Sequence, residues 1–299
     1  MTEAPFTISL LGLGRMGRPM AAHLLAAFGE LTVWNRTPGR SDELAARGAV
    51  VASTPASAAC NAVLTVLTDL DAVEAVLRGD DGLLAGWTER GITRPVLVVH
   101  GTVSPVGVAK LAAELAALGV TLLDAPISGG TAGAESATLS IMVGGDRRAA
   151  ELMSPVFNAL GRTVRYLGPS GSGQLAKACN QIVVAATVTA LSESVLLARH
   201  GGLDIATVLE LLGGGLAGSE LLRQKAEKWL HEDFTAGGTA INQLKDLRFA
   251  IDAAGARGLR LPVTETVTDL FADLIRAGDG ELDHTAIYRA IERLAREGE

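Results

Sequence analysis

Gly12-Leu13-Gly14-Arg15-Met16-Gly17 follows directly on an apolar run at residues 6–11 and opens a helical pattern over residues 16–28. Strand, glycine turn and helix in that order are what a phosphate-binding turn requires. The first glycine makes the tight turn, the second lets the backbone approach a pyrophosphate, and the third lets helix and strand pack closely. The helix N-terminus then faces the negative charge. The spacing alone is weak in a chain with 35 glycines; its place between strand and helix decides the reading. All six residues are candidate cofactor contacts.

The next predicted strand, 31–34, ends at Trp34 and is followed by Asn35-Arg36-Thr37. An NAD site usually carries Asp or Glu at this point, bonded to the ribose 2′-hydroxyl, and an acid would repel a 2′-phosphate. Here Asn35 takes that place, Arg36 can make a bidentate contact to phosphate, Thr37 offers a hydroxyl and Arg40 adds a second cation. The expected cofactor is therefore NADP(H).

Working outward, further strands are predicted at 63–67, 95–99, 120–123, 139–143 and 164–167, with helices at 72–77, 105–118 and 147–160. Alternation of this kind predicts a doubly wound, mostly parallel sheet, with room for antiparallel pairing among the later strands. After Gly168-Pro169-Ser170-Gly171 the pattern turns helical throughout. One long helix is predicted from 173 to about 200, stopped by Gly201-Gly202. Others are predicted at 205–212, 218–229, 240–256, 262–276 and 284–296, with Asp204 and Asp283 as N-caps and Pro262 in a first turn. The predicted fold is an α/β Rossmann-type N-terminal domain, residues 1–168, and an all-α C-terminal domain, residues 169–299, joined by a long interdomain helix.

A length of 299 residues suits two domains, and 48% hydrophobic residues allow sizeable cores. A net charge of −7 gives no basic surface for nucleic acid. Cys60 and Cys179 form no CxxC pair, and both are expected to be small buried apolar residues in a reducing compartment. The acidic start Met1-Thr2-Glu3-Ala4-Pro5 lacks the basic opening of a signal peptide. The apolar stretch 182–197 is broken by Ser192-Glu193-Ser194 and is short for a membrane span, so it reads as a core helix. A cytoplasmic protein without a membrane partner is expected. His23, His200, His231 and His284 show no metal-ligand spacing and are expected at surface or cap positions; no metal is expected.

Lys177, Asn180 and Gln181 stand at i, i+3 and i+4 on one helix face, among Leu175, Ala176, Ala178 and Cys179. If that face is buried, desolvation disfavours the charged lysine and brings its amine closer to acid–base work. The segment alone equally suits a lysine snorkelling to solvent. Ser128-Gly129-Gly130 offers a hydroxyl and consecutive backbone amides, which make either a small anion nest or an ordinary turn. Lys245-Asp246 lies within a predicted helix and reads on its own as a solvated pair.

Taken together, Gly12 to Met20, Asn35-Arg36-Thr37, Asp124-Ala125-Pro126-Ile127-Ser128-Gly129-Gly130, Gly171 to Gln181 and Lys245-Asp246-Leu247 resemble, in order, the motifs of the β-hydroxyacid dehydrogenases. The resemblance spans nearly the whole chain and includes a 6-phosphogluconate dehydrogenase-like C-terminal domain. It implies that Lys177 gives a proton to the carbonyl oxygen as hydride arrives and recovers it in oxidation. Asn180 or Gln181 would orient the substrate; many relatives have Asn at the position of Gln181. Ser128, Gly129 and Gly130 would hold a substrate carboxylate, Lys245 would reach the cofactor, and Asp246 would help fix the domain interface. Thr102 matches a threonine on the nicotinamide side, and Leu67-Thr68 matches a loop under the cofactor that commonly reads Leu-Pro. The implied reaction interconverts a small 3-hydroxy acid, or 2-hydroxy acid, and its semialdehyde or keto acid, in a cleft between sheet and helical domains of a homodimer or homotetramer.

Relatives commonly read Asp-x-Ser-Thr where this chain has Val99-His100-Gly101-Thr102. The departure admits two readings: His100 and Gly101 border the cleft and tune substrate choice, or His100 caps the strand and points to solvent. Two alternatives to the main reading are an imine reductase, in which the lysine is usually replaced, and a non-catalytic dinucleotide-binding interaction module.

Overall fold

The computed structural model describes residues 6–235 and 237–296. The acidic start Met1 to Pro5 lies outside the described residues. The chain divides into two units, the first running to Lys177 and the second beginning at Ala178.

In the first unit the order is β1 (Ile8–Leu11), α1 (Gly17–Phe28), β2 (Thr32–Trp34), α2 (Asp42–Ala46), β3 (Val50–Val51), β4 (Ala62–Thr65), α3 (Leu70–Leu77), α4 (Leu83–Glu89), β5 (Val96–Val99) and α5 (Pro105–Ala117). There follow β6 (Thr121–Asp124), β7 (Ile127–Ser128), α6 (Gly130–Glu135), β8 (Leu139–Gly145), α7 (Arg147–Leu152), α8 (Ser154–Asn158) and β9 (Gly161–Gly168). The strands pair in the order β3-β2-β1-β4-β5-β6-β8-β7, with β9 on β8. The chain winds outward from β1 to β3, then returns to β4 on the other side. That reversal between β1 and β4 is a topological switch point, where ligands of open α/β sheets bind beyond the strands' carboxyl ends.

The central strands read as continuous apolar runs because both faces are covered. Alternate residues serve different cores. Leu10, Leu64 and Val98 pack with Met20 and Leu24 of α1, while Leu11, Val63, Leu97 and Val99 pack with Val73, Val108 and Leu111 of α3 and α5. The expected antiparallel element is present: β8 runs antiparallel to β6 and β7 and parallel to β9. The helix predicted over 147–160 is two helices, because Pro155 in the first turn of α8 removes an amide that one continuous helix would need.

The second unit carries most of α9 (Ser172–His200), then α10 (Ile205–Gly214), α11 (Glu220–His231), α12 (Ala240–Gly255), α13 (Pro262–Arg276) and α14 (Ile287–Arg296). Side chains start these helices: Asp204 accepts from Thr207 N at 2.8 Å and Ser219 from Leu222 N at 3.1 Å. Because Ser219 is the cap, α11 begins at Glu220 and not at residue 218. Among the described residues α9 is long and apolar enough to cross a membrane by length and composition. Its buried side builds the core instead: Ala185, Val188, Leu191 and Val195 pack with Trp229, Phe271 and Ile287. Ser192, which interrupts the apolar run, accepts from Trp229 Nε1 at 3.0 Å.

Two expectations are corrected. Cys60 is buried, but Cys179 is exposed, because it lies on the side of α9 that also exposes Val183 and Leu197. His284 is no surface residue: its side chain is only 12% exposed, and Nδ1 lies 3.2 Å from Gln243 Oε1. Burial lowers its pKa to about 4.

Asp283, fully buried, accepts from Lys225 Nζ at 2.6 Å, from the amides of Gly237, Gly238 and Thr285, and from the Thr285 hydroxyl. Burial pushes this carboxyl up, but the charges of His284 and Lys225 and the surrounding donors outweigh it and hold the group at about 2, below the ordinary 3.8. A carboxylate held low stabilises the fold above about pH 4 and loses that contribution as pH falls through its folded value. Lys225 and the hydrogen-bond donors still face the charge at pH 7, where His284 is neutral, so Asp283→Asn is expected to be about 1 kcal/mol or more less stable than wild type there. The gap should narrow as pH drops below 4, read by urea denaturation of both proteins at each pH. A gap independent of pH would show that the charge is not what holds this corner together.

Candidate active site

Strand register sets the site in the first unit. Trp34, Leu11, Thr65, Val99 and Asp124 stand side by side across β2, β1, β4, β5 and β6. The next residue of each strand therefore leaves the sheet on one edge. Every expected cofactor residue of this unit lies in those exits: Gly12 to Gly17 after β1, Asn35-Arg36-Thr37 after β2, Leu67-Thr68 after β4 and Thr102 after β5.

The three glycines of the turn are held by different things. Gly12 has φ +99°, and a Cβ there would stand 2.5 Å from Val66 O. A Cβ at Gly17 would stand 1.8 Å from Gly12 O. The protein's own backbone demands both. At Gly14 a Cβ would meet nothing within 4 Å, so the open side of that residue suits a group from outside. α1 also has no side-chain cap at its N-terminus. A pyrophosphate fits this arrangement, with the helix start facing its charge.

Asn35 turns out to brace the loop. Its Oδ1 accepts from Leu13 N at 2.8 Å and its Nδ2 donates to Thr37 O at 2.8 Å. Arg36 and Thr37 are exposed beyond it. Thr68 is also exposed, and its hydroxyl donates to Asp69, the cap of α3.

Both readings of the His100 departure are corrected. His100 is 1% exposed, with Nδ1 2.7 Å from Ala125 O and its ring edge-on to Phe157. It neither borders a cleft nor points to solvent, and burial lowers its pKa to about 4, so it is a neutral core residue. Gly101 is also structural, since a Cβ there would stand 1.9 Å from Leu67 O. A serine at this position meets backbone.

Ser128 ends β7 half-buried, while Gly129 and Gly130 are exposed, with φ of 133° and 65°. Lys177, in the second turn of α9, is 8% exposed. Two residues without an expected role of their own complete this part of the unit. Asp124 is fully buried and accepts from Gly171 N and Gln174 N, at the start of α9. The Gln174 side chain bonds the loop on either side of Thr102. These links join segments 47 to 73 positions apart in the chain, beyond any local pattern.

In the second unit Asn180 Nδ2 donates to Gln181 Oε1 at 3.2 Å, and Gln181 Nε2 donates to Asp246 Oδ2 at 2.7 Å. Asp246 also lies 3.4 Å from Lys245 Nζ, and Lys245 sits over the Phe249 ring at 5.4 Å. Gln181 is thus a strut between α9 and α12.

Residues 7–168 match the family pattern described as the NAD binding domain of 6-phosphogluconate dehydrogenase. Residues 171–291 match that described as NAD-binding of NADP-dependent 3-hydroxyisobutyrate dehydrogenase. The 2-hydroxy-3-oxopropionate reductase of Escherichia coli (strain K12) is 37% identical, covering 96% of this chain and 98% of its own. The chain belongs to the β-hydroxyacid dehydrogenase family. It is a pyridine-nucleotide-dependent oxidoreductase. Another member, the probable 3-hydroxyisobutyrate dehydrogenase-like 3, mitochondrial, of Arabidopsis thaliana, is 36% identical over 96% of this chain and 87% of its own. A solved Mycobacterium tuberculosis 3-hydroxyisobutyrate dehydrogenase with L-serine superposes with a TM-score of 0.80 at 28% identity, covering 96% of this chain and 99% of that one. An imine reductase from Streptomyces aurantiacus is more distant, with a TM-score of 0.64 at 25% identity, covering 95% and 99%.

The glycine geometry of this dehydrogenase separates fold from binding. Gly14→Ala should melt at the wild-type temperature yet bind NADPH or NADH at least about tenfold more weakly, a loss of about 1.4 kcal/mol. Differential scanning calorimetry and fluorescence titration report the two quantities. Unchanged nucleotide affinity would remove Gly14 from the pyrophosphate site.

Proposed function

We propose that this chain interconverts a small 3-hydroxy acid, or 2-hydroxy acid, and its semialdehyde or keto acid with NADP(H), and that Lys177 is the general acid and base. The observation that carries the reading is the burial of Lys177, a residue only 8% exposed, within the family's lysine motif. When bound, the nicotinamide supplies hydride to the carbonyl carbon in reduction and accepts it in oxidation. As the carbon receives hydride, the C=O π pair moves onto oxygen, and Lys177 Nζ delivers the proton that completes the hydroxyl. In the reverse direction the neutral amine takes that proton back. General acid catalysis of this kind is worth about 10²–10⁴-fold.

The Ser128 hydroxyl and the Gly129 and Gly130 amides take the substrate carboxylate. The exposure of both glycines and their positive φ support this role. Asn180 orients the substrate, and Gln181, already bonded to Asp246, holds Asn180 in place. Thr102 serves the nicotinamide side and Lys245 reaches the cofactor. For NADP(H) the support is the brace role of Asn35, which leaves no acid at the end of β2, with Arg36 and Thr37 exposed to meet a 2′-phosphate. Exposed Val183, Leu197 and Leu211 on the helical unit support a homodimer or homotetramer, and the net charge of −7 gives nucleic acid no footing.

The likeness to an imine reductase supports a second reading, imine reduction with NADPH. Lys177 speaks against it, since that class usually replaces the lysine. Lys177, Ser128 and Lys245 together speak against a non-catalytic module. A panel of small semialdehydes, 3-hydroxy acids and cyclic imines, each with both nucleotides, decides among the three.

On the proposed reading wild type prefers NADPH, and Arg36→Ala raises KM for NADPH about tenfold to a hundredfold while KM for NADH barely moves. A charge-assisted contact contributes roughly 1.5–3 kcal/mol. Equal use of both nucleotides by wild type would sink the assignment. Lys177→Ala should lose about 10²–10⁴-fold in kcat while NADPH still binds; near-normal turnover on a good substrate would remove Lys177 from the chemistry.

A further inference from the structure

The geometry points to Gln174 and Asp124 as positioning residues that hold the start of α9, and with it Lys177, in fixed register against the loop carrying Thr102. The inference rests on Lys177 being the proton-transfer residue.

Six other helices of this chain begin on a local cap: Asp69, Ser104, Asp146, Asp204, Ser219 and Thr239 each accept from an amide three residues on. α9 instead begins on a carboxylate from another element. Asp124, the last residue of β6, accepts from Gly171 N at 2.8 Å through Oδ1 and from Gln174 N at 2.9 Å through Oδ2. Glycine on both sides makes room for it: a Cβ at Gly144 would lie 2.7 Å from Oδ1, and one at Gly173 would lie 2.9 Å from Oδ2. The anchor is costly. Burial pushes this carboxyl up to about 6, against the pull of the amides of Gly171, Gln174, Asp124 itself and Gly173. A neutral Ser or Asn cap would start a helix without burying a charge.

Gln174 takes the anchor onward. Its backbone is held by Asp124, and its side chain, 1% exposed, uses both ends of its amide. Nε2 donates to Gly101 O at 2.7 Å, and Oε1 accepts from Val103 N at 3.0 Å. The clamped peptide segment brackets Thr102. Fixing one residue at both backbone and side chain sets the rotation of the helix as well as its height. Lys177 follows three positions later, on the same side of the helix. Reacting groups displaced by about 1 Å can lose about 10²-fold in rate, so a clamp at this point sets rate as well as stability.

The test is a mutant cycle between Gln174 and Lys177 in the full-length protein, with the best substrate of the panel. Gln174→Met keeps the volume and removes both bonds; Gln174→Glu keeps an acceptor for Val103 N and sets oxygen against Gly101 O, giving a second reading if the first folds poorly. Expected is a kcat about tenfold or more below wild type, NADPH affinity within about twofold, and no further loss when the substitution is added to Lys177→Ala. Hydrogen exchange without nucleotide should quicken in residues 171–177 while β4 and β5 stay protected. A variant that only melts lower with kcat unchanged, or one that multiplies the loss of Lys177→Ala, overturns the positioning role and leaves Lys177 standing. If Lys177→Ala alone keeps near-normal kcat, the fault lies with the proton-transfer reading, and Gln174 has nothing to position.

Discussion

Three stretches of backbone meet at the carboxyl edge of the sheet with no space between them for a side chain. Val66 O lies where a Cβ of Gly12 would need 2.5 Å, Gly12 O where one of Gly17 would need 1.8 Å, and Leu67 O where one of Gly101 would need 1.9 Å. Real Cβ atoms do not come so close to carbonyl oxygens, so these positions must be glycine for the loops after β1, β4 and β5 to close on one another. The rest of the site follows from that closure. The turn ahead of α1, the Leu67-Thr68 loop and the segment holding Thr102 become one continuous edge, on which the switch point between β1 and β4 opens. Of the three glycines in the turn, Gly14 alone is unconstrained by the protein, and its open side is the feature that the fold itself does not need.

The two buried aspartates show how the same side chain is put to different use. Asp283 is fully buried and held at about 2, because an ammonium, a hydroxyl and several amides converge on it. Asp124 is equally inaccessible and rises to about 6, because only amide dipoles face it. A paired charge recovers what burial removes; a charge opposed by dipoles alone does not recover it fully. Asp283 therefore strengthens the helical unit at neutral pH. Asp124 weakens the sheet unit when ionised: its folded value exceeds the unfolded one, so the fold binds its proton more readily, and stability from this group declines as pH rises toward 6. Retaining such a group at the start of α9 makes sense where placement matters more than stability.

What could be read from the sequence is what local periodicity encodes. The glycine turn, the apolar runs of β1, β4 and β5, Pro262 at the start of α13 and the caps Asp204 and Asp283 all follow from residues within a few positions of one another. The two-residue strands β3 and β7 and the short helices α2, α4 and α6 carry too few residues to show a period. His100 was legible and was misread. Counting by twos along β5 places it on the face of Val98, which is core, and the ring does pack there against Phe157. Cys179 escapes for the converse reason: its immediate neighbours on α9 are small or apolar, so local composition does not say which side is covered. Asp124 and Gln174 lay in plain view inside recognised motifs, but their partners lie 47 to 73 residues away, and only the fold brings them together.

The departures from the family pattern acquire a different meaning for the same reason. Read along the chain, Thr68 in place of proline and Gly101 in place of serine are separate changes, one in a loop under the cofactor and one beside Thr102. In the fold they are neighbours, since the carbonyl of Leu67, the residue before Thr68, occupies the space that a side chain at 101 would claim. Proline would fix φ at its own position and bias the residue before it toward extended backbone. With Thr68 there the loop is released from that bias, and with glycine at 101 it has somewhere to go. Glycine at 101 is thus what lets β4's exit lie against β5's, and Gln174, bonded to Gly101 O on one side and Val103 N on the other, holds that packing from the α9 side. Substrate choice in this chain must be sought among groups that face the open edge, and the His100-Gly101 pair, turned into the core and into backbone, is not among them.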